Sequence, residues 1–345
     1  MSIKHILLLT RSLQGGEGGM QLYTRIVIDG LRKRHIPLTV IGYQGGRFGL
    51  PFFLVSAWIR TLFFQGTQVH FGDGVLVLSA PILRFFRPRL RLSATVFGLD
   101  LLYPSAFYQY VLRRALPVID RVVAISAATA DAARARGART EGLAVIPCGI
   151  DREDRGMERV PIRGEKRVDL LLFGRQIKRK GTAWFLEYVL SLLLQSVPVL
   201  HVTIAGDGPE LPRLRELVSR RGWEHVVEIL GVVKEEKKWT LFSEATLFLM
   251  PNIPVAGDME GFGLTCIEAA SMGLPVVAAR LEGIQDAVID RETGLFFTPL
   301  DATDCVRVLK EALAKKWYPQ AIREAQQHNY HSDLMLHRTL EHVCS

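Results

Sequence analysis

Two patterns of apolar residues alternate along the chain. Short apolar runs bounded by glycine, proline or charge are followed by longer segments in which apolar residues return every third or fourth position. The short runs predict buried strands at 5–10, 38–43, 75–78, 93–97, 121–125 and 144–146, then at 169–173, 200–205, 227–230, 247–250, 276–279 and 293–297. Helical spacing covers 20–33, 108–116, 126–135, 211–221, 264–271, 306–313 and 319 to the end, with an apolar stretch at 51–64. Strands that alternate with helices predict parallel sheets with helical crossovers, an α/β fold.

With 345 residues and 48% hydrophobic content the chain suits two domains of ordinary size, each with its own core. The charged segment 152–167, with Gly156, Pro161 and Gly164, reads as the linker. The expected division is 1–163 and 164–324. Cys148, Cys266, Cys305 and Cys344 have no paired spacing, which argues against a disulfide framework or a zinc site and for a reducing, cytoplasmic setting. The run 6–9 is too short for a signal core, and no apolar span is long enough to cross a bilayer. Pro51 and Arg60 break the nearest candidate, 48–64, which suits the surface of a membrane instead.

The net charge of +8 divides unevenly. Residues 1–163 hold 22 Lys and Arg against 11 Asp and Glu, and residues 164–345 hold 21 against 24. Arg84, Arg87, Arg89 and Arg91 surround Phe85 and Phe86. Such a cluster suits the phosphates of nucleic acid, of anionic lipid or of a lipid diphosphate, and equally a solvated basic face. No nucleic-acid-reading motif accompanies it, so nucleic acid is not expected as a partner.

The richest stretch is 257–279, GDMEGFGLTCIEAASMGLPVVAA. Glu260 enters a loop, Gly261-Phe262-Gly263, that runs into a helix starting at Leu264 and Thr265 and stopped by Gly273-Leu274-Pro275. A helix N-terminus offers N–H groups and a dipole to an anion. Glu268 lies one turn into that helix, so the two carboxylates are placed to straddle a ligand. The bland alternative is an ordinary loop-helix-strand unit with surface glutamates.

This stretch resembles the nucleotide-sugar motif of the retaining glycosyltransferases of family four, whose GT-B fold joins two Rossmann-like domains across a deep interdomain cleft. The likeness covers about 168–300 well and the first half diffusely. It implies a donor domain at 164–324, an acceptor-side domain at 1–163, and a C-terminal helix at about 325–345 that packs back on the first. Glu268 would hold the donor ribose and Glu260 the transferred sugar. Gly174-Arg175 and Lys180-Gly181 follow a strand directly, at the sheet edge where open α/β sheets bind ligands. In the family this pair holds the donor diphosphate, Arg175 as a fork and Lys180 as a point charge, although such a cationic loop also occurs simply solvated. The resemblance further assigns to the donor Gly206, at the turn after the strand 200–205, and Val232, whose backbone would lie against the base.

In the first half the glycine-rich loop 12–19 has no Gly-Lys-Ser/Thr and no dinucleotide spacing. By resemblance Gly18 and Gly19 face the cleft, and the alternative is a plain surface turn. Phe97 stands where relatives often have histidine. Asp100 follows as an acceptor-hydroxyl contact or, equally, as a cap. Fixed cations and aligned N–H groups at Gly263 to Thr265 would stabilise the leaving phosphate in place of a divalent metal, and no Asp-x-Asp motif is present. The expectation is thus a metal-independent retaining transferase without a cofactor. Its donor would be a UDP- or GDP-sugar and its acceptor a glycan or lipid-diphosphate-linked chain for a surface glycan. It would work in the cytoplasm, peripheral at the inner face of the membrane. A catalytically weak sugar-nucleotide binding subunit, which Phe97 favours, and an epimerase of similar shape are the alternatives.

Overall fold

The computed structural model describes residues 5–11, 19–43, 49–151, 167–197 and 199–344. Gly18 and the proposed boundary at 163/164 lie outside them. Two compact units emerge. The first comprises the chain up to Gly149 with Gly257–Phe262 and Ser332–Ser345, and the second Ile150–Ala256 with Gly263–His331.

In the first unit the chain runs β1 (Ile6–Thr10), α1 (Gly19–Lys33), β2 (Leu38–Gly42), α2 (Leu50–Leu62), β3 (Gln68–Phe71), α3 (Ala80–Phe86), β4 (Arg91–Val96), α4 (Gly98–Leu102), α5 (Ala106–Ala115), β5 (Arg121–Ala124), α6 (Ala127–Arg134) and β6 (Leu143–Val145). All its pairings are parallel, in the order β2-β1-β3-β4-β5-β6. The direction of the winding reverses between β1 and β3. A crevice at the C-terminal ends of those two strands is where such sheets take ligands.

The strand expected at 75–78 is a 3-10 turn, Leu76–Ser79, and β3 lies earlier. Physical chemistry explains the displacement. Gln68 and His70 share one face of β3, yet both are buried. The His70 ring lies 3.0 Å from Ser93 Oγ and 3.1 Å from Thr95 Oγ1, and Gln68 Nε2 donates to the Val343 carbonyl at 2.9 Å. A polar face satisfied inside the protein looks like a loop in sequence. Residues 75 and 76 turn because their N–H groups donate to Asp73 Oδ1, at 3.0 and 3.2 Å.

The second unit runs β7 (Val168–Phe173), α7 (Thr182–Trp184), a π-helical turn Phe185–Val189, α8 (Leu190–Ser196), β8 (Leu200–Ala205), α9 (Leu211–Arg220), β9 (Val227–Gly231), α10 (Glu235–Glu244), β10 (Leu247–Met250), α11 (Leu264–Ser271), β11 (Val276–Ala279), β12 (Gly294–Phe297), α12 (Ala302–Ala314) and α13 (Pro319–Tyr330). Its parallel sheet has the order β12-β11-β10-β7-β8-β9, so the winding reverses between β7 and β10. Leucine, valine and isoleucine on both faces of these strands, with Phe185, Leu190 and Leu214 from the helices, form one core.

The last helix, α14 (Ser332–Cys344), belongs to the first unit. Leu336 packs where α1 carries Gly30, and Tyr23 Oη lies 3.4 Å from Thr339 Oγ1. Right-handed crossovers put α1 on one face of the first sheet and α2, α3 and α5 on the other, and α14 packs beside α1 and on β5. Among the described residues, no helix is long and apolar enough to cross a membrane.

Candidate functional site

The loop after β7 is built to hold a fixed shape. Gly174 has φ 137° and Gly206, after β8, φ 115°. A Cβ on Gly206 would overlap the Gly174 carbonyl, and one on Gly181 (φ 66°) would overlap the Pro251 carbonyl. Only glycine allows these approaches. The amide of Gln176, buried beside them, donates to the carbonyls of Gly174 at 2.8 Å and Ala205 at 3.2 Å and accepts from Thr182 Oγ1 at 2.8 Å. The Ile253 N–H donates to the Arg179 carbonyl at 2.9 Å, which ties the exits of β7 and β10 together at the reversal point. On this frame Arg175 is exposed, and the Lys180 ammonium folds to within 4.0 Å of the point where a Gly174 Cβ would stand.

From β10 the chain reaches Gly263, φ 89°, and enters α11, with Leu264 and Thr265 half-buried at its start. Glu268 is buried, and Lys238 of α10 donates to its Oε1 at 2.8 Å. The same ammonium lies 3.8 Å from Glu235 Oε1 and 4.7 Å from the Trp239 ring centre. Val232, beyond β9, is 76% exposed.

In the first unit the segment Gly257–Phe262 sits on the starts of α4 and α6. A Cβ on Gly98 would come 2.8 Å from Met259 Cγ, and Thr129 Oγ1 donates to the Gly261 carbonyl at 3.3 Å. Phe262 is buried and Glu260 half-buried. Phe97 packs edge-on against Tyr23, ring centres 5.7 Å apart.

At the C-terminal ends of β1 and β3 three charged groups gather. Arg11 Nε lies 2.9 Å from Asp73 Oδ1 and Arg11 Nη2 3.4 Å from Asp100 Oδ1. Asp100 Oδ2 also accepts from the Gly74 N–H at 3.0 Å. Asp73 is fully buried and Asp100 nearly so. Burial, and then the charge of Asp73, push the Asp100 carboxyl up to about 6. Among the described residues no three His, Cys, Asp or Glu side chains form a metal-binding group.

Residues 157–329, half of the chain, match the glycosyl transferases group 1 family. The chain belongs to that family. This group 1 chain is 30% identical over 258 residues to the putative colanic acid biosynthesis glycosyltransferase WcaL of Escherichia coli, covering 71% of its own length and 59% of the relative. It is 37% identical over 144 residues, 41% of the chain and 36% of the relative, to the GDP-mannose-dependent α-(1-6)-phosphatidylinositol monomannoside mannosyltransferase of Mycolicibacterium smegmatis. The chain thus spans under two thirds of these relatives' length. Its fold is that of Anabaena HepE, crystallised with UDP (TM-score 0.75, 19% identity, 99% of each chain), and of the sucrose-phosphate synthase of Thermosynechococcus elongatus (TM-score 0.78, 18% identity, 98% of each chain). These are GT-B structures, and the two six-stranded parallel sheets correspond.

In the group 1 chain the second unit brings Arg175, Lys180 and Gly206 into one loop cluster, and places Gly263, Leu264, Thr265 and Glu268 on the start of α11. Glu260, Gly261 and Phe262 fall within the first unit, with Asp100. Gly19 is the exposed first residue of α1. Sequence reasoning missed Gln176, Lys238, Arg11 and Asp73. Lys238 carried a signal: it precedes Leu241 and Phe242 by three and four positions, on the buried face of α10.

Proposed function

We propose that the chain is a retaining glycosyltransferase that moves a sugar from a nucleoside diphosphate sugar to a glycan or lipid-linked acceptor in surface polysaccharide or glycolipid synthesis. The observation that carries the reading is the end of the second sheet at its reversal point. Positive-φ glycines and a tied cationic loop stand there, and α11 with its buried glutamate follows β10, in a chain of this family. Arg175 and Lys180, with the N–H groups of Gly263 to Thr265, would take the diphosphate and stabilise charge developing on the leaving phosphate, the part a divalent ion plays elsewhere. Glu268 would accept two hydrogen bonds from the ribose diol, Val232 backbone would meet the base, and Glu260 would hold the transferred sugar. Retention follows if the acceptor attacks from the leaving-group side and the phosphate takes its proton.

A thermal-shift panel of UDP, GDP, ADP and their hexose conjugates, without metal, tests the donor site. One nucleotide is expected to raise the melting temperature by mass action. No shift with any of them would overturn the reading. A catalytically weak binding subunit, which Phe97 in the histidine position favours, would give the shift without turnover of the conjugate.

For the lipid side of the acceptor we infer an anionic membrane surface as partner, through the outer face of α2 and α3. Phe52, Phe63 and Phe85 are 79–80% exposed there, with Val55, Ile59, Ile82 and Phe86 around them and Arg60 and Arg89 in solvent. Exposed apolar area on this scale, flanked by cations, is unusual for a surface facing only water. The arginines divide differently from their sequence cluster. Arg84 is tied to Asp120 at 2.7 Å and to the carbonyls of Leu90 and Val118, and Arg87 caps the end of α2 through the Leu62 and Phe64 carbonyls. Changing Phe52, Phe63 and Phe85 together to serine is therefore expected to abolish sedimentation with anionic vesicles and to leave the nucleotide shift intact. Undiminished vesicle binding would remove this face from the reading.

A further inference from the structure

The reversal point of the first sheet holds a buried charge cluster to which no sequence motif pointed as a group. Arg11 comes from the end of β1, Asp73 from the loop after β3 and Asp100 from the first turn of α4. Asp73 receives the Arg11 guanidinium at 2.9 Å, the Arg11 N–H at 3.4 Å and the N–H groups of Val75 and Leu76. Its orientation is therefore over-determined. Asp100 is held at both oxygens, by Gly74 N–H and by Arg11, and the Tyr108 hydroxyl donates to its backbone carbonyl at 2.7 Å. No side chain beyond a hydrogen fits at Gly74, where a Cβ would come 2.7 Å from Asp100 Cβ. Burying two carboxylates on one guanidinium adds little stability over an apolar filling of the same space.

We propose that Asp73 and Arg11 are positioning residues for Asp100, whose carboxylate receives a hydroxyl of a saccharide acceptor: Asp73 fixes Arg11, and Arg11 fixes and charges Asp100. The inference rests on the transferase reading, with this unit as its acceptor side. Among the described residues, the groups that act on Asp100 are Arg11, Asp73, the backbone of Gly74 and Phe97 and, from α5, Tyr108. Arg136, two residues past α6, bonds Gln109, and the segment packed on Gly98 carries Asp258 and Glu260. Asp73 opposes ionisation of Asp100 and Arg11 favours it. A carboxyl raised to about 6 is protonated below that pH, so acceptor use should fall as the pH drops through it. Removing the Asp73 charge should move that acid limb to lower pH.

The test measures Asp73→Asn and Arg11→Lys against the unchanged enzyme, with p-nitrophenyl glycosides as acceptor probes and hydrolysis of the donor as the acceptor-free control. Carboxylate NMR of aspartate-labelled protein follows the Asp100 titration, assigned by its loss in Asp100→Asn. Asp73→Asn is expected to lower kcat/KM for the glycoside about a hundredfold, as misplacement of a reacting group does. It should also shift both the acid limb and the NMR midpoint down by about one pH unit, with the nucleotide thermal shift unchanged. Arg11→Lys keeps the charge and loses the fork. It should cost kcat/KM with little movement of the limb, and it stands in for Asp73→Asn if that variant does not fold. An unmoved Asp100 midpoint in Asp73→Asn, or unimpaired acceptor use by Arg11→Lys, overturns the proposal. Donor hydrolysis with no glycoside used by the unchanged enzyme overturns the saccharide acceptor alone. Absence of both hydrolysis and nucleotide shift brings down the transferase reading instead.

Discussion

Glu268→Ala is expected to lower the stability of the second unit by about 3–5 kcal/mol and to erase the nucleotide-induced thermal shift. Both effects come from one pair. Glu268 is 7% exposed and Lys238 9%, and their 2.8 Å contact exists because each charge has been removed from water to meet the other. Deleting the carboxylate leaves the ammonium buried beside Glu235 at 3.8 Å and the Trp239 and Phe173 rings, whose centres are 4.7 and 5.8 Å away. For a unit of this size the loss corresponds to a melting temperature lower by about 10 °C. The double variant Glu268→Met, Lys238→Met removes both charges and keeps the volume, and should recover most of the stability. Nucleotide binding should not return with it. That separation distinguishes a glutamate that holds a ligand from one that only pairs a lysine: a double variant that regained the nucleotide shift would leave Glu268 with a structural role alone.

The strand pattern was largely legible because buried parallel strands are apolar on both faces. Residues 170–172 and 247–250 announce themselves as such, and both are strands buried along their length. β3 escaped because Gln68 and His70 meet Ser93, Thr95 and the Val343 carbonyl inside the protein. Two of those partners lie more than twenty residues away and the third at the far end of the chain, where no local pattern reaches. The missed residues of the site have the same cause. Arg11 and Asp73 lie 62 positions apart, with Asp100, which the sequence did single out, 27 further on, and the three become neighbours only when β1, β3 and β4 pair side by side. The glycines, by contrast, were visible one by one, since a glycine directly after a strand already suggests close backbone approach. Their sequence could not tell which atom they approach; the Gly206 position opposite the Gly174 carbonyl is a property of β7 and β8 in register.

Arg175→Ala should leave the melting temperature unchanged and lower kcat by about 10²–10³-fold. Arg175 is exposed, whereas the loop that carries it is held by Gln176, Gly181 and the Ile253 to Arg179 hydrogen bond, none of which needs the guanidinium. Stability and catalysis therefore part company at this residue, the reverse of their coupling at Glu268. If charge on the leaving phosphate limits the rate, the loss should appear in kcat more than in KM, because the guanidinium acts on charge that grows only toward the transition state. Arg175→Lys tests the geometry: a point charge on a flexible stem restores part of the electrostatic effect without the bidentate fork, so its rate should fall between the two. Assays after chelation and with Mg²⁺ added separate the charge of the guanidinium from that of an ion. A rate for Arg175→Ala within tenfold of the unchanged enzyme after chelation would assign the phosphate to Lys180 and the start of α11. Rescue of the alanine variant by Mg²⁺ would mean that an ion can occupy the place of the guanidinium, and that positive charge at that position is what the loop after β7 supplies.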